Sequence, residues 1–172
     1  MEIRDASQLD AAACAAIYEP YVNDTAITFE TVPPTAEEMS GRIARCRRDH
    51  AWVVAHEGSL VVGYAYATTL KERAAYAWSC EVSVYLQPGL RRTGLGRMLY
   101  EELFARLAAR GYLTAVAGTT LPNPASEGLH RALGFEPVGV YRKIGFKHGA
   151  WHDVLWSQRE LAPREGEPEP LR

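Results

Sequence analysis

Nowhere does the chain carry an apolar run approaching the ~20 residues of a membrane-spanning helix. Its first residues, Met1-Glu2-Ile3-Arg4-Asp5, also lack the basic-then-apolar order of an export signal. No membrane partner is expected, and the expected compartment is the cytoplasm. An excess of one charge sign is missing too: the net charge is −2, which leaves no overall basic field to hold nucleic acid. Cysteine is scarce. Cys14, Cys46 and Cys80 are odd in number, widely spread and set among apolar neighbours, which predicts reduced core thiols rather than disulfides or a nucleophile. His148 and His152 flank a Gly-Ala-Trp turn with no third or fourth ligand nearby, so no metal is expected. Ser79, Ser83 and Ser126 lack the glycine-flanked elbow of a hydrolase nucleophile.

What remains is ordinary for a globular protein. Apolar residues make up 47% and charged residues 23%, and 172 residues suit one domain with a full core. A single domain over residues 1–162 is expected. The end, Pro163 to Arg172, mixes proline, glutamate, glycine and arginine and predicts a disordered tail.

The most informative stretch is Cys80-Glu81-Val82-Ser83-Val84-Tyr85-Leu86 followed by Arg91-Arg92-Thr93-Gly94-Leu95-Gly96-Arg97. It reads as a strand, a turn at Pro88-Gly89, a basic glycine-bearing loop and the start of a helix. The first amides of a helix have no intrahelical acceptor and carry partial positive charge, so an anion docks there. Gly94 and Gly96 are expected to let the backbone approach that anion, with Arg91, Arg92 and Arg97 adding full charge. There is no Gly-Lys-Ser/Thr, which excludes the nucleoside triphosphate loop, and the third glycine of the dinucleotide fingerprint is missing.

In chain order, Glu2 to Asp5 predicts a short strand, and Leu9 to Glu19 a helix stopped by Pro20, with Ala12, Ala13, Ala16 and Ile17 on its buried stripe. Thr25 to Thr31 reads as an extended loop or edge strand ahead of Pro33-Pro34. Thr35 and Glu38 form a capping box for a helix bearing Met39, Ile43 and Cys46 and ending near Asp49. Trp52 to His56 and Leu60 to Thr68 read as a hairpin. A strand is predicted from Tyr76 to Leu86, with Val82, Val84 and Leu86 on the core face and Glu81, Ser83 and Tyr85 on the face left for chemistry. The next helix carries Leu95, Leu99, Leu103 and Leu107, widened by Met98 and Phe104, and ends at Gly111. A strand from Leu113 to Thr119 then implies a parallel pair. Asn123-Pro124 opens a helix, and strands over Glu136 to Phe146 and His152 to Glu160 complete the chain.

Glu81 stands inside an apolar strand, where a carboxylate loses hydration. It is either a partner for an arginine such as Arg73 or a general base whose pKa is raised by partial burial; its nearness to the glycine loop favours the base. His130 lies in a helix beside Leu129 and Leu133, and a lone histidine there is more often a packed residue than a catalyst.

Taken together, these segments resemble the GNAT acetyltransferases over nearly the whole chain, and within them the branch that contains phosphinothricin and methionine sulfoximine N-acetyltransferases. The resemblance is carried by Thr28-Phe29-Glu30-Thr31, Ala75-Tyr76-Ala77-Trp78, Arg92-Thr93-Gly94-Leu95-Gly96, Leu121-Pro122-Asn123, Leu129-His130-Arg131-Ala132-Leu133-Gly134-Phe135 and the narrower run Lys147-His148-Gly149-Ala150-Trp151-His152-Asp153-Val154. It implies an α/β (α+β) chain with a mixed central sheet of about six to seven strands flanked by about four helices, and acetyl-CoA in the opening between the fourth and fifth strands. It also implies Glu81 as base with His130 as companion. Pantetheine would lie on backbone of Val82, Val84, Tyr85 and Leu86, pyrophosphate on Arg91 to Arg97, and Asn123 at the far side of the cofactor. Backbone N–H groups near Val84 and Tyr85 would stabilise the oxyanion. For a small acidic amine, Arg73, or else Lys71, Arg142 or Lys147, is expected to meet the anion. Phe29, Tyr76 and Trp78 are expected to wall the site. A homodimer through the last strands is also implied. Acetyl transfer to another amine and a non-catalytic acyl-CoA sensing module are the competing readings.

Overall fold

The computed structural model describes residues 1–90 and 93–172. Seven strands form one mixed sheet: β1 Glu2–Asp5, β2 Trp52–Glu57, β3 Leu60–Thr69, β4 Ser79–Leu86, β5 Thr114–Thr120, β6 Glu136–Lys147 and β7 Ala150–Glu160. Their order across the sheet is β1-β2-β3-β4-β5-β7-β6, and every neighbouring pair is antiparallel except β4 and β5. Four helices accompany it: α1 Ala11–Asp24, α2 Ala36–Asp49, α3 Leu95–Ala109 and α4 Pro124–Ala132.

From β2 to β4 the sheet is buried on both sides. One apolar cluster joins α3 to Val53, Ala65, Cys80, Val82 and Ala115, while the other joins α1 and α2 to Trp52, Val54, Tyr64 and Tyr85. Alternation along β4 therefore sends Cys80 and Val82 to one core and Tyr85 to the other. The face expected to be free for chemistry is thus partly core, because Tyr85 packs edge-on against Tyr18 at 4.7 Å and Tyr21 at 5.1 Å.

Local signals account for most boundaries. Thr35 Oγ1 accepts from Glu38 N–H at 3.1 Å while Glu38 accepts from Thr35 N–H at 2.7 Å, closing the capping box of α2. The β6–β7 turn is His148-Gly149, both at positive φ (50° and 74°), the geometry of a two-residue hairpin matched to strand twist.

Four expectations fail. Helix α1 continues through Pro20 to Asp24. Proline removes one backbone hydrogen bond, but Tyr18 and Val22, buried on either side of it, hold the helix on the sheet. Its buried stripe is Ala11, Cys14, Ile17, Tyr18 and Val22, with Ala12 and Ala16 outside, since an alanine-rich segment has little periodicity and the larger side chains decide the facing. Strand β4 starts at Ser79 rather than Tyr76, because Ala74–Tyr76 close a 3-10 turn in which Ala77 N–H donates to Ala74. Met98 is 43% exposed and does not widen the apolar face of α3.

All three cysteines are free and buried, and burial pushes each thiol up to about 12. No described helix is long and apolar enough to cross a membrane. Beyond Glu160 the chain has no helix or strand, yet Trp78 Nε1 donates to Glu169 O at 2.8 Å and Arg172 N to Arg110 O at 2.9 Å.

Candidate active site

Strands β4 and β5 pair only from Ser79–Glu81 to Thr114–Val116, and then diverge, while β4 stays paired with β3 as far as Leu86. Gln87 N–H donates to Val62 O at 2.9 Å, which fixes the alternation: Glu81, Ser83 and Tyr85 share their backbone groups with β3. Val82, Val84 and Leu86 turn theirs to the opening, where Tyr21 OH already donates to Leu86 O at 2.7 Å. Of the two amides expected to meet an oxyanion, Val84's faces the opening and Tyr85's is spent on Tyr64.

The opening has different groups on its two sides. On the α1/α2 side, Glu81 is half-buried at the edge of a cleft of about 540 Å³ that also includes Phe29, Glu30, Arg42, Tyr66, Tyr141 and Trp156. Burial raises the Glu81 pKa above 4.5, and Lys71 pulls partly against that shift. On the α3/α4 side, His130 is 7% exposed, with Nδ1 3.3 Å from Thr119 Oγ1 and Nε2 3.4 Å from Tyr100 OH. Burial pushes its pKa down to about 4, so the imidazole is neutral near pH 7. His130 lines a smaller cavity with Val82, Val84, Thr119 and Asn123, and the two cavities share Ile27, Ser83, Tyr85, Gly118 and Thr120. Glu81 and His130 therefore face adjoining spaces through the split in the sheet.

Helix α3 begins beside the far end of this opening. Gly94 is its N-cap with φ 80°, a conformation that favours glycine, and a Cβ there would meet nothing. At Gly96 a Cβ would lie 3.2 Å from Leu129 Cδ2, so the second glycine lets α4 pack close. The two glycines thus have different reasons, backbone conformation and helix packing. Leu95 is core, which leaves only its backbone for a ligand, and Thr93 Oγ1 donates to Leu90 O at 3.0 Å. Arg97 is exposed in the first turn and paired with Glu101 at 2.7 Å. Arg91 and Arg92 lie outside the described residues. Asn123 caps α4 by accepting from Ser126 N–H at 3.1 Å.

Of the residues expected to meet the acceptor, Phe29 borders the cleft, and a Cβ on Gly145 would run into its ring. Arg73 and Tyr76 stand on the exposed 3-10 connection and do not line the cleft. Trp78 is turned to the C-terminal segment. Lys147 is buried and donates to Thr28 O at 2.8 Å, so it holds the Thr25–Thr31 loop in place. Arg142 is exposed. Among the described residues, the cation that lines the cleft is Arg42, whose terminal nitrogens reach both Glu30 oxygens at 3.0 and 2.5 Å. That pair holds the Glu30 carboxyl below its usual range and raises Arg42. Arg42, Thr119 and Tyr100 were missed from sequence. Arg42 had a legible signal, since it lies three residues after Met39 and one before Ile43 on the flank of the buried stripe of α2.

Residues 3–156, which build this split sheet, its open strand edge and the glycine-capped helix beside it, match the family model of the acetyltransferase (GNAT) domain, and the chain belongs to that family of N-acetyltransferases. It is 39% identical to a phosphinothricin N-acetyltransferase of Streptomyces viridochromogenes, over all of this chain and 93% of that one. It is 36% identical to an L-methionine sulfoximine/L-methionine sulfone acetyltransferase of Pseudomonas aeruginosa, covering 96% of this chain and 98% of the other. Among solved structures, a GNAT superfamily phosphinothricin acetyltransferase from Sinorhizobium meliloti in complex with AcCoA superposes with a TM-score of 0.93 at 37% identity, over 98% of this chain and 92% of that one.

Proposed function

We propose that this N-acetyltransferase transfers acetyl from acetyl-CoA to the α-amine of a small amino-acid analogue such as phosphinothricin or methionine sulfoximine, and so acts in detoxification. The observation that carries the reading is the open edge of β4, with Glu81 on one side of the sheet and His130 on the other. Residues 1–162 form the catalytic unit in this reading.

The site fits acetyl-CoA on its own chemistry. Val82, Val84 and Leu86 offer strand backbone to an amide-bearing chain, and the α3 amino terminus with Arg91, Arg92 and Arg97 suits a pyrophosphate. Bound there, acetyl-CoA supplies an activated acyl group on a thiolate leaving group.

An α-amine is largely protonated near neutral pH and cannot attack until the proton is removed. Glu81, directly or through water, takes it; a raised pKa brings the carboxylate closer to that task. Val84 N–H donates to the oxygen that becomes negative at the acyl carbon. Phe29, Tyr141 and Trp156 wall the acceptor, and Arg42 marks its polar end. Arg73 and Tyr76 meet the acceptor only if their exposed connection closes over the cleft.

The assembly we infer is a homodimer through β6 and β7. Strand β6 is a sheet edge, and Val138, Val140, Ile144, Phe146 and Trp151 leave a run of apolar side chains exposed at 43% to 62%. Light scattering should give twice the monomer mass, and Val140→Lys with Phe146→Lys should reduce it to one.

Thiol release from acetyl-CoA tests the reaction, with methionine sulfoximine, phosphinothricin, the common amino acids or no acceptor. Release restricted to the two analogues and lost in Glu81→Gln is the expected result. Release with ordinary amino acids would widen the substrate class, and release with none of these amines would overturn the assignment.

A further inference from the structure

Tyr100, His130 and Thr119 stand in line on the α3/α4 side of the opening and all border it. The Tyr100 hydroxyl is 3.4 Å from His130 Nε2, and His130 Nδ1 is 3.3 Å from Thr119 Oγ1. Tyr100 is 1% exposed, with its ring stacked on Phe104 at 5.2 Å and tilted against Phe135 at 6.4 Å, so its hydroxyl has little freedom to move.

Hydrogen-bond inventory gives this line a direction. A neutral imidazole has one N–H and one acceptor nitrogen, and a buried hydroxyl needs an acceptor for its proton. Among the described residues, the acceptor in reach of the Tyr100 hydroxyl is His130 Nε2. Donation there puts the imidazole proton on Nδ1, which donates to Thr119 Oγ1. The Thr119 proton is then turned away from the ring, and Thr119 itself borders the opening.

Resting on the acetyl-transfer reading above, we propose that the Thr119 hydroxyl, at the outer end of this chain, stabilises the departing thiolate, and that Tyr100 is the positioning residue that sets the direction. In that step the carbon–sulfur bond breaks and sulfur keeps the electron pair. The first amine proton has already passed to Glu81. The second, acidified once nitrogen is bonded to the acyl carbon, leaves to solvent water as the intermediate collapses to the amide, and sulfur receives a hydrogen bond rather than a proton. Burial favours this division: it keeps His130 neutral and raises Tyr100, so neither gives up a proton near neutrality. A thiolate is stable enough to leave as the anion.

Nitrogen-15 spectra of the imidazoles test the direction without any turnover. In the wild type at neutral pH, His130 should carry its proton on Nδ1, and Tyr100→Phe should move its resonances toward a mixture of tautomers. Activity tests the outer end: Thr119→Val should lower kcat roughly tenfold, the scale of one hydrogen bond to a charged group, with KM for acetyl-CoA within about twofold. Thr119→Ser should restore kcat. An Nε2-protonated wild type, or unchanged kcat in Thr119→Val, overturns the proposal. Should Tyr100→Phe melt, the wild-type spectrum and Thr119→Val still decide. A wild type that acetylates none of the amines would fail the acetyl-transfer reading instead, and the spectra alone would then judge the direction of the chain.

Discussion

Burial acts on Glu81, on one side of the split in the sheet, and on His130, on the other, in opposite directions on the pH scale. Glu81, on the α1/α2 side, is raised above 4.5, while His130, on the α3/α4 side, is lowered to about 4. In both cases the uncharged form is favoured, since a low dielectric penalises whichever form carries charge. Their neighbours differ. Lys71 acts on Glu81 and the Glu30–Arg42 ion pair lies in the same cleft, whereas the partners of His130 are two hydroxyls. A side that holds charge suits proton removal, and a side that offers only neutral hydrogen bonds suits stabilising a leaving group.

The largest expected effect breaks the first half of that comparison. Glu81→Gln should lower kcat by roughly 10²-fold or more, the usual worth of a positioned base, with KM for acetyl-CoA little changed. The wild-type rate should fall in acid as Glu81 takes up its proton, and this acid limb should vanish from the residual activity of the variant.

Stability against pH sharpens the contrast, because the two groups have opposite signs. His130 is depressed in the folded state, so its contribution is present above its ordinary 6.5 and is lost as pH falls toward about 4. The wild type should therefore lose melting temperature relative to His130→Asn across that interval. Glu81 is raised in the folded state, so its contribution is present below 4.5 and is lost as pH rises through the folded value. Glu81→Gln should melt higher than the wild type at neutral pH, with the gap closing in acid. A parallel pH response in the two variants would contradict the opposite shifts.

A smaller effect concerns the junction of α3 with α4. Gly96→Ala places a Cβ 3.2 Å from Leu129 Cδ2, so α4 must yield slightly, and with it His130. A melting-temperature loss of a few degrees is expected, corresponding to about 1 kcal/mol of overpacking. The least severe change is Lys147→Met, which removes the bond to Thr28 O and loosens Phe29 over the cleft. We expect KM for the amine to rise roughly threefold, the scale of one weak hydrogen bond, with kcat held.

Much of the site was legible because its chemistry is local in sequence. Glu81 precedes the glycine loop on one strand, and Asn123 and His130 share one helix. Partial burial of Glu81 could be read from its apolar neighbours alone, while the deep burial of His130 could not, since a helical histidine has the same neighbours whether it faces core or solvent. The polar end of the cleft was misread for a similar reason. Arg73 is near Glu81 in sequence, but the short turn after β3 carries it outward, whereas Arg42 arrives from a helix on the other side of the cleft.

Element types, the capping box of α2, the hairpins and the order strand–helix–strand around the glycine loop are properties of contiguous residues, so the sequence by itself determined them and, with them, the family. Tertiary structure decided how far α1 runs past Pro20, where β4 parts from β5, and which groups meet across the sheet. Those outcomes depend on packing between segments far apart in the chain: Tyr18 and Val22 against the sheet, Leu129 against Gly96, and Tyr100 and Thr119 on either side of His130. No local propensity encodes such contacts, because each exists only once both partners are already in place.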